Sequence, residues 1–155
     1  MAAGKGVTIC DSKEKAIKDI KDILNGKFKL SKKAIIEEFL QGEEASYFII
    51  TDGENYIPIG TAQDHKRIGE NDTGPNTGGM GAYSPSYLIT AEIEEKIKQK
   101  IIEPTLKGMK EIGCPYKGIL YAGLMINNSE PKLIEYNVRF GDPECQILMM
   151  RLEND

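Results

Sequence analysis

Residues 133–146 read LIEYNVRFGDPECQ, and the order of apolar and polar groups within them decides how the rest of the chain is read. Leu133 and Ile134 lead into an alternation of Tyr136, Val138 and Phe140 with Glu135, Asn137 and Arg139. In a strand, alternate side chains share a face at a spacing of roughly 6.6–6.8 Å. The pattern therefore predicts a strand over residues 132–139 that turns Glu135, Asn137 and Arg139 one way and buries Ile134, Tyr136 and Val138. A carboxylate and an amide oxygen are hard donors of the kind Mg2+ takes, usually together with water and nucleotide phosphates. A guanidinium beside them can grip a phosphoryl group through paired hydrogen bonds. The same alternation also fits a half-exposed strand with a solvated polar face. A Gly-Asp-Pro turn with two more acids, Asp142 and Glu144, comes directly after the strand and tells against that blander reading.

The composition sets the frame. The 155 residues suffice for one ordinary domain with a core, and 40% hydrophobic with 28% charged residues is the balance of a globular protein. A net charge of −4 leaves no basic footprint for nucleic acid. No apolar run approaches the ~20 residues of a membrane span. The opening MAAGKG is not the apolar core of a secretory signal, so a cytoplasmic location is expected. Cys10, Cys114 and Cys145 lie far apart without a C-x-x-C pair, as expected of reduced thiols, and with a single His they do not make a structural zinc site.

Along the chain, residues 2–6 form a glycine-rich loop with one cation, Lys5. This is either an ordinary turn or a backbone cradle for an anion. Residues 7–10 are expected as a short strand. Ser12 caps a helix with apolar positions at Ala16, Ile17, Ile20, Ile23 and Leu24, ended by Asn25-Gly26. AIIEEFL, residues 34–40, is expected as a strand, followed by the acidic Gln41-Gly42-Glu43-Glu44 and a second strand at residues 45–51. Residues 52–55 make a hairpin turn, and Pro58 puts the returning strand at an edge or bulge. Residues 61–86 have no convincing period and are expected as a long functional loop. They gather Asp64, His65, Lys66 and Arg67, then the glycines of residues 74–81. His65 could serve as an acid or base, or be structural. Thr90 caps the longest helix, with Ile93, Ile97 and Ile101 as its core stripe and Pro104 expected to break or kink it. KGILYAGLMI, residues 117–126, is a buried strand that turns at residues 127–130 into the strand over residues 132–139. A helix closes the chain from Cys145. No internal repeat or low-complexity segment interrupts it.

RFGDPECQ at residues 139–146, behind the E-x-N-x-R of Glu135, Asn137 and Arg139, resembles the signature of the phosphoribosylamine–glycine ligase family of the ATP-grasp superfamily. GPNTGGMGAYSP at residues 74–85 resembles that family's substrate loop. The resemblance covers essentially the whole chain. It implies an α+β fold of mainly antiparallel sheet with packed helices. Residues 1–60 would belong to the smaller ATP-grasp lobe and residues 61–155 to the larger.

The implied cofactors are ATP and Mg2+ or Mn2+, and the implied small-molecule substrates are glycine and 5-phosphoribosylamine, with neither nucleic acid nor membrane as partner. By resemblance Glu135 and Asn137 hold the metal, Arg139 clamps the phosphoryl group, and Asp142 joins it at the reacting end. Asp142 and Glu144 either hold Arg139 or the glycine amine, or cap the next helix. Gly4, Lys5 and Gly6 close over the ATP phosphates, backbone groups near Glu37 and Leu40 meet the adenine edge, and Glu44 takes the ribose hydroxyls. A carboxylate suits vicinal hydroxyls because it only accepts. Asp64, Lys66, Asn76 and Thr77 fall to the phosphoribosylamine side. One departure stands out: where other members of the superfamily carry a second metal-binding Glu on the preceding strand, this chain offers only Gly123, Leu124 and Met125. The family's glycine-rich loop lies well inside a longer protein, so this chain is expected to be part of a larger enzyme and, by itself, poorly active. Two alternatives stay open: another carboxylate–amine ligase of the superfamily, and a non-catalytic remnant that binds nucleotide.

Overall fold

The computed structural model describes residues 7–28, 33–65, 67–70, 73–77, 79 and 81–153, without the side chains at positions 67, 73 and 76. Gly4, Lys5, Gly6 and Lys66 lie outside the described residues. The chain divides into two compact units, residues 1–39 and 40–155.

In the first unit, helix α1 (Lys13–Asp22) starts where Ser12 Oγ accepts the Lys15 N–H at 3.2 Å, satisfying one of the first turn's free donors. It widens over Ile23–Lys27 and ends at Gly26, whose φ of 99° a side chain would resist. The strands expected at residues 7–10 and 34–40 are not formed: neither segment carries helix or strand, and Ile35 and Ile36 are exposed. A β-branched run becomes a strand only when another backbone pairs with it, and among the described residues none does.

The second unit is built on β1 (Glu43–Thr51), β2 (Tyr56–Asp64), β3 (Arg67–Gly69), β4 (Thr73–Asn76) and β5 (Ala82–Tyr83), and then on β6 (Gly118–Asn127) and β7 (Glu130–Asn137). Five of these make one antiparallel sheet in the order β5-β2-β1-β6-β7, and β3 pairs with β4 separately. β1 is matched to β6 from Glu43↔Ile126 to Thr51↔Gly118, so β1 and β2 share one sheet with the later strands, and the compact units part at residue 39. The long loop expected over residues 61–86 is corrected: it holds the end of β2 and all of β3, β4 and β5. Strands of two to four residues are too short for alternation to register.

The expected hairpin is present. Asp52 Oδ1 accepts the N–H groups of Glu54 and Asn55 at 2.8 and 2.7 Å. Pro58 sits beside a bulge on a length of β2 that β5 leaves uncovered, since β5 meets only Gln63 and Asp64.

Helices α2 (Ala91–Ile97) and α3 (Glu103–Glu111) are joined by a π-turn over Lys98–Ile102. Thr90 caps α2 as expected, its Oγ1 accepting the Ile93 N–H at 3.3 Å. Pro104 does not break the helix. The Glu103 N–H reaches back to the Lys98 carbonyl, five residues earlier, and this wider turn accommodates a ring that has no N–H to offer. Ile93, Ile97, Ile101, Ile102 and Leu106 pack on Ala45, Tyr47 and Ile49 of β1 and on Leu120, Ala122, Leu124 and Ile126 of β6. Tyrosines rivet the layers: Tyr47 donates to Glu94 at 3.0 Å, Tyr56 to Glu103 at 3.0 Å and Tyr136 to the Ile101 carbonyl at 3.1 Å. Burial, and then Glu103, pushes the Tyr56 hydroxyl up to about 12. On the other face, Phe48, Ala62 and Leu148 form a second cluster with Tyr121 and Phe140, where α4 (Glu144–Met149) lies.

The strand expected over residues 132–139 ends earlier. β7 stops at Asn137, and Gly123↔Glu135 is followed by Leu124↔Leu133, so Ile134 is the extra residue of a bulge. Ile134 is 41% and Val138 69% exposed; of the three residues expected inside, Tyr136 alone joins the core. The turn into β7 uses Asn128 and Ser129 at φ of 49° and 61°, the left-handed pair that suits strand twist.

Glu130 at the start of β7 meets Lys100 at 2.7 Å and Lys96 at 2.9 Å. Hydrogen bonds from Lys100 and then Lys96 hold its carboxyl down at about 2. A carboxyl lowered on folding adds stability above its unfolded value of about 4.3 and loses it as pH falls toward the folded value. The denaturant midpoints of wild type and Glu130→Gln are therefore expected to differ at neutral pH and converge between pH about 4 and about 2. Ile97→Ala, emptying a fully buried position, should cost ~2–5 kcal/mol in the same measurement.

Candidate nucleotide and metal site

The sheet register builds the site. On the face turned from α2 and α3, two rows cross the strands: Ala62, Ser46, Gly123 and Glu135, then Gly60, Phe48, Tyr121 and Asn137. Glu44, two residues before Ser46, and Asp64, two after Ala62, share that face by alternation. A cleft of about 20 Å³, room for one water molecule, opens between Glu44, Ser46, Asp64, Tyr121 and Gly123. Gly42 lets the chain enter β1 here: at φ 146°, a Cβ would run into the Ile126 backbone.

Glu135 and Asn137 stand side by side on this face, as expected. Asn137 Nδ2 donates to Glu135 Oε1 at 3.3 Å. That bond uses one N–H and one carboxylate oxygen, and consumes neither the amide Oδ1 nor the carboxylate Oε2. Two hard oxygens fit Mg2+ or Mn2+, ions that complete their shells with water and phosphate oxygens. Among the described residues, no group of three or more His, Cys, Asp or Glu could hold a metal, so such an ion would depend on its nucleotide for further ligands.

Arg139 is not the third member of that row. It stands in the bend after β7, exposed, with Nη1 donating to the Phe140 carbonyl at 2.8 Å. Asp142 accepts from Gln146 Nε2 at 2.9 Å. Glu144 does not hold Arg139, nor does its side chain cap α4. It is 4% exposed, and its Oε1 accepts from Tyr121 at 3.2 Å and from Ser46 at 3.4 Å. This hydrogen-bonded trio is the part of the site that sequence reasoning missed. The available signal was a Ser and a Tyr inside otherwise apolar strands, at positions 46 and 121.

The remaining expected residues are spread more widely. Glu44 is exposed at the cleft, and its neighbour Glu43 accepts from Tyr87 at 2.7 Å. Glu37 is exposed in a segment of the first unit without helix or strand, while Leu40, partly buried, opens the second unit. Asp64 ends β2 opposite Ala82 and borders the cleft. Asn76 ends β4, its backbone opposite Arg67. The Thr77 hydroxyl donates to the His65 carbonyl and accepts the Gly79 N–H at 3.3 Å, so it organises its own loop. His65 is exposed, with its N–H on the Gly81 carbonyl at 2.9 Å and its ring 5.4 Å from that of Tyr83.

Comparison with known proteins bears on this geometry. Residues 1–145 match the family model described as phosphoribosylglycinamide synthetase, ATP-grasp (A) domain. Phosphoribosylamine–glycine ligase of Brucella melitensis is 54% identical over 156 residues, all of this chain and 36% of that protein. The chloroplastic phosphoribosylamine–glycine ligase of Arabidopsis thaliana is 57% identical over 159 residues, all of this chain and 30% of that protein. The crystal structure of the Thermotoga maritima phosphoribosylamine–glycine ligase superposes with a TM-score of 0.81 at 39% identity, over 97% of this chain and 38% of that one. The chain thus spans about a third of the length of the curated relatives it matches. With a family model covering nearly its whole length, on an antiparallel sheet that superposes on a member's, this chain belongs to the phosphoribosylglycinamide synthetase family as its ATP-grasp (A) domain.

Proposed function

We propose that the chain is the nucleotide-gripping part of a ligase that joins glycine to 5-phosphoribosylamine at the expense of ATP, a step of purine synthesis carried out in the cytoplasm. The observation that carries this reading is the pair of neighbouring oxygen donors, Glu135 and Asn137, on the open face of the sheet with Glu44 and Asp64. Family membership supports the same reading. Glu135 and Asn137 are the metal ligands; a divalent cation bound there spreads the charge of the phosphates. Arg139 grips the transferring phosphoryl group, and Asp142, in the turn that follows, joins it at the reacting end. Glu44 takes the ribose hydroxyls, backbone near Glu37 and Leu40 the adenine edge, and Gly4, Lys5 and Gly6 the phosphate tail. Asp64, Lys66, Asn76 and Thr77 serve phosphoribosylamine, Lys66 at its phosphate.

In the reaction a glycine carboxylate oxygen attacks the γ-phosphorus as its bond to ADP breaks, giving glycyl phosphate. The amine of phosphoribosylamine then attacks the acyl carbon, and phosphate leaves. Catalysis of this kind is largely positioning and charge stabilisation, which suits a sheet face of acids and an amide with a guanidinium in the adjoining loop.

In the native polypeptide, Glu135→Gln is expected to slow ADP release about 10²-fold, the scale for losing a charge-stabilising group. Near-normal turnover would rule out the metal assignment. Calorimetry with Mg·ATP run beside that assay separates a ligase from a remnant, which would bind nucleotide and release no ADP. Lys66→Met should raise the phosphoribosylamine concentration needed for half-maximal rate and leave ATP binding alone; a fall in ATP affinity would move Lys66 to the nucleotide.

A further inference from the structure

Glu144 is the only carboxylate among the described residues that is buried. Burying a carboxyl group costs free energy unless a hydrogen bond replaces its water, and here the Tyr121 hydroxyl supplies one while itself taking the Ser46 proton. Ser46 Oγ donates to the Tyr121 hydroxyl at 2.9 Å, and Tyr121 donates to Glu144 Oε1 at 3.2 Å, with Ser46 Oγ a further 3.4 Å from the same oxygen. The three residues come from β1, β6 and the first turn of α4. Gly141 is fitted to the arrangement: a Cβ built there would stand 2.6 Å from Glu144 Cδ. The Tyr121 ring also stacks on Phe48 with centroids 4.5 Å apart, and Phe48 on Phe140 at 6.3 Å.

Tyr121 therefore holds both ends of one loop. Its backbone pairs with Asn137, the last residue of β7, and its hydroxyl binds Glu144, the first of α4. Residues 138–143 lie between these two anchors, with Arg139 and Asp142 among them. Neither of those side chains is fixed to the sheet by the bonds it makes: Arg139 reaches the next carbonyl, and Asp142 reaches Gln146. We propose that Glu144 is a positioning residue which, through Tyr121 and Ser46, sets where Arg139 and Asp142 stand relative to the Glu135–Asn137 pair. It touches no substrate; its buried carboxylate is the pin that keeps the phosphoryl-gripping loop in register with the metal strand. This inference rests on the ligase reading of the site.

The test is steady-state kinetics of the native polypeptide, at a temperature where circular dichroism shows each variant folded. Glu144→Ala and Gly141→Ala, the latter evicting the carboxylate while keeping it, are both expected to lower kcat about 10²-fold, the scale of an ångström's misplacement. KM for ATP should stay within about threefold, since the adenine, ribose and metal contacts assigned to ATP lie outside this loop. Glu144→Gln, whose amide oxygen accepts the same hydroxyls, should recover to within about tenfold of wild type. Adding Glu144→Ala to an Arg139→Ala, Asp142→Ala variant should slow the enzyme no further, because the loop then has neither side chain to aim. Where Glu144→Ala does not fold, Tyr121→Phe and Glu144→Gln decide: the first is expected to lower kcat about tenfold with KM for ATP unchanged. Wild-type kcat in the folded variants would overturn the inference. So would a Gln variant as slow as the Ala one, or a cost at residue 144 that persists in full once residues 139 and 142 have both been replaced. A wild-type protein that releases no ADP would refute the ligase reading itself, and the inference with it.

Discussion

The nine-residue pairing of β1 with β6 is the constraint on which the rest of the second unit depends. It is antiparallel and unbroken, so alternate residues of both strands are committed together to one face or the other. Ala45, Tyr47 and Ile49 go with Leu120, Ala122, Leu124 and Ile126 to the helices; Glu44, Ser46 and Phe48 go with Tyr121 and Gly123 to the open face. A slip of one residue would exchange the two sets, putting a carboxylate and a serine under α2 and α3. The apolar helix face and the polar site thus specify the same register from opposite sides. β2 and β7, added at either side, inherit that register and carry Asp64, Glu135 and Asn137 to the face that Glu44 already occupies.

Much of this was legible because strong periods announce themselves. The Ile93, Ile97 and Ile101 stripe, the Thr90 and Ser12 caps and the apolar run of β6 all formed where local chemistry pointed. The pairing of Glu135 with Asn137 was legible too, since alternate residues of one strand share a face without any knowledge of the rest of the fold. What failed was whatever depends on a partner far along the chain. The bulge at Ile134 arises from how β7 meets β6, and it is invisible in an alternation that continues smoothly to Phe140. Residues 34–40 have strand composition but no pairing partner among the described residues. The short strands β3, β4 and β5 exist only because neighbouring backbone closes their ladders.

The same distinction explains why, in the sequence, Glu144 reads as one acid among several after the turn. Its burial is decided by Ser46 and Tyr121, 98 and 23 residues away in sequence. Nothing local marks it except Gly141, whose missing side chain makes the space. Pro104 teaches the converse. Proline rules forecast a break, but a helix held on one side by a sheet can widen a single turn and continue, with its apolar stripe still facing Tyr47 and Leu124.

The bulge in β7 has a bearing on solubility. β7 is the outermost strand of its sheet among the described residues, and a straight outer strand offers its free amides and carbonyls to any passing chain. This one has Pro131 as its second residue, with no amide to offer, follows with the cation of Lys132, and then departs from flatness at Ile134. Together these features leave no long template along that border, so the hairpin bearing Glu135 and Asn137 also carries its own protection against stacking into aggregates.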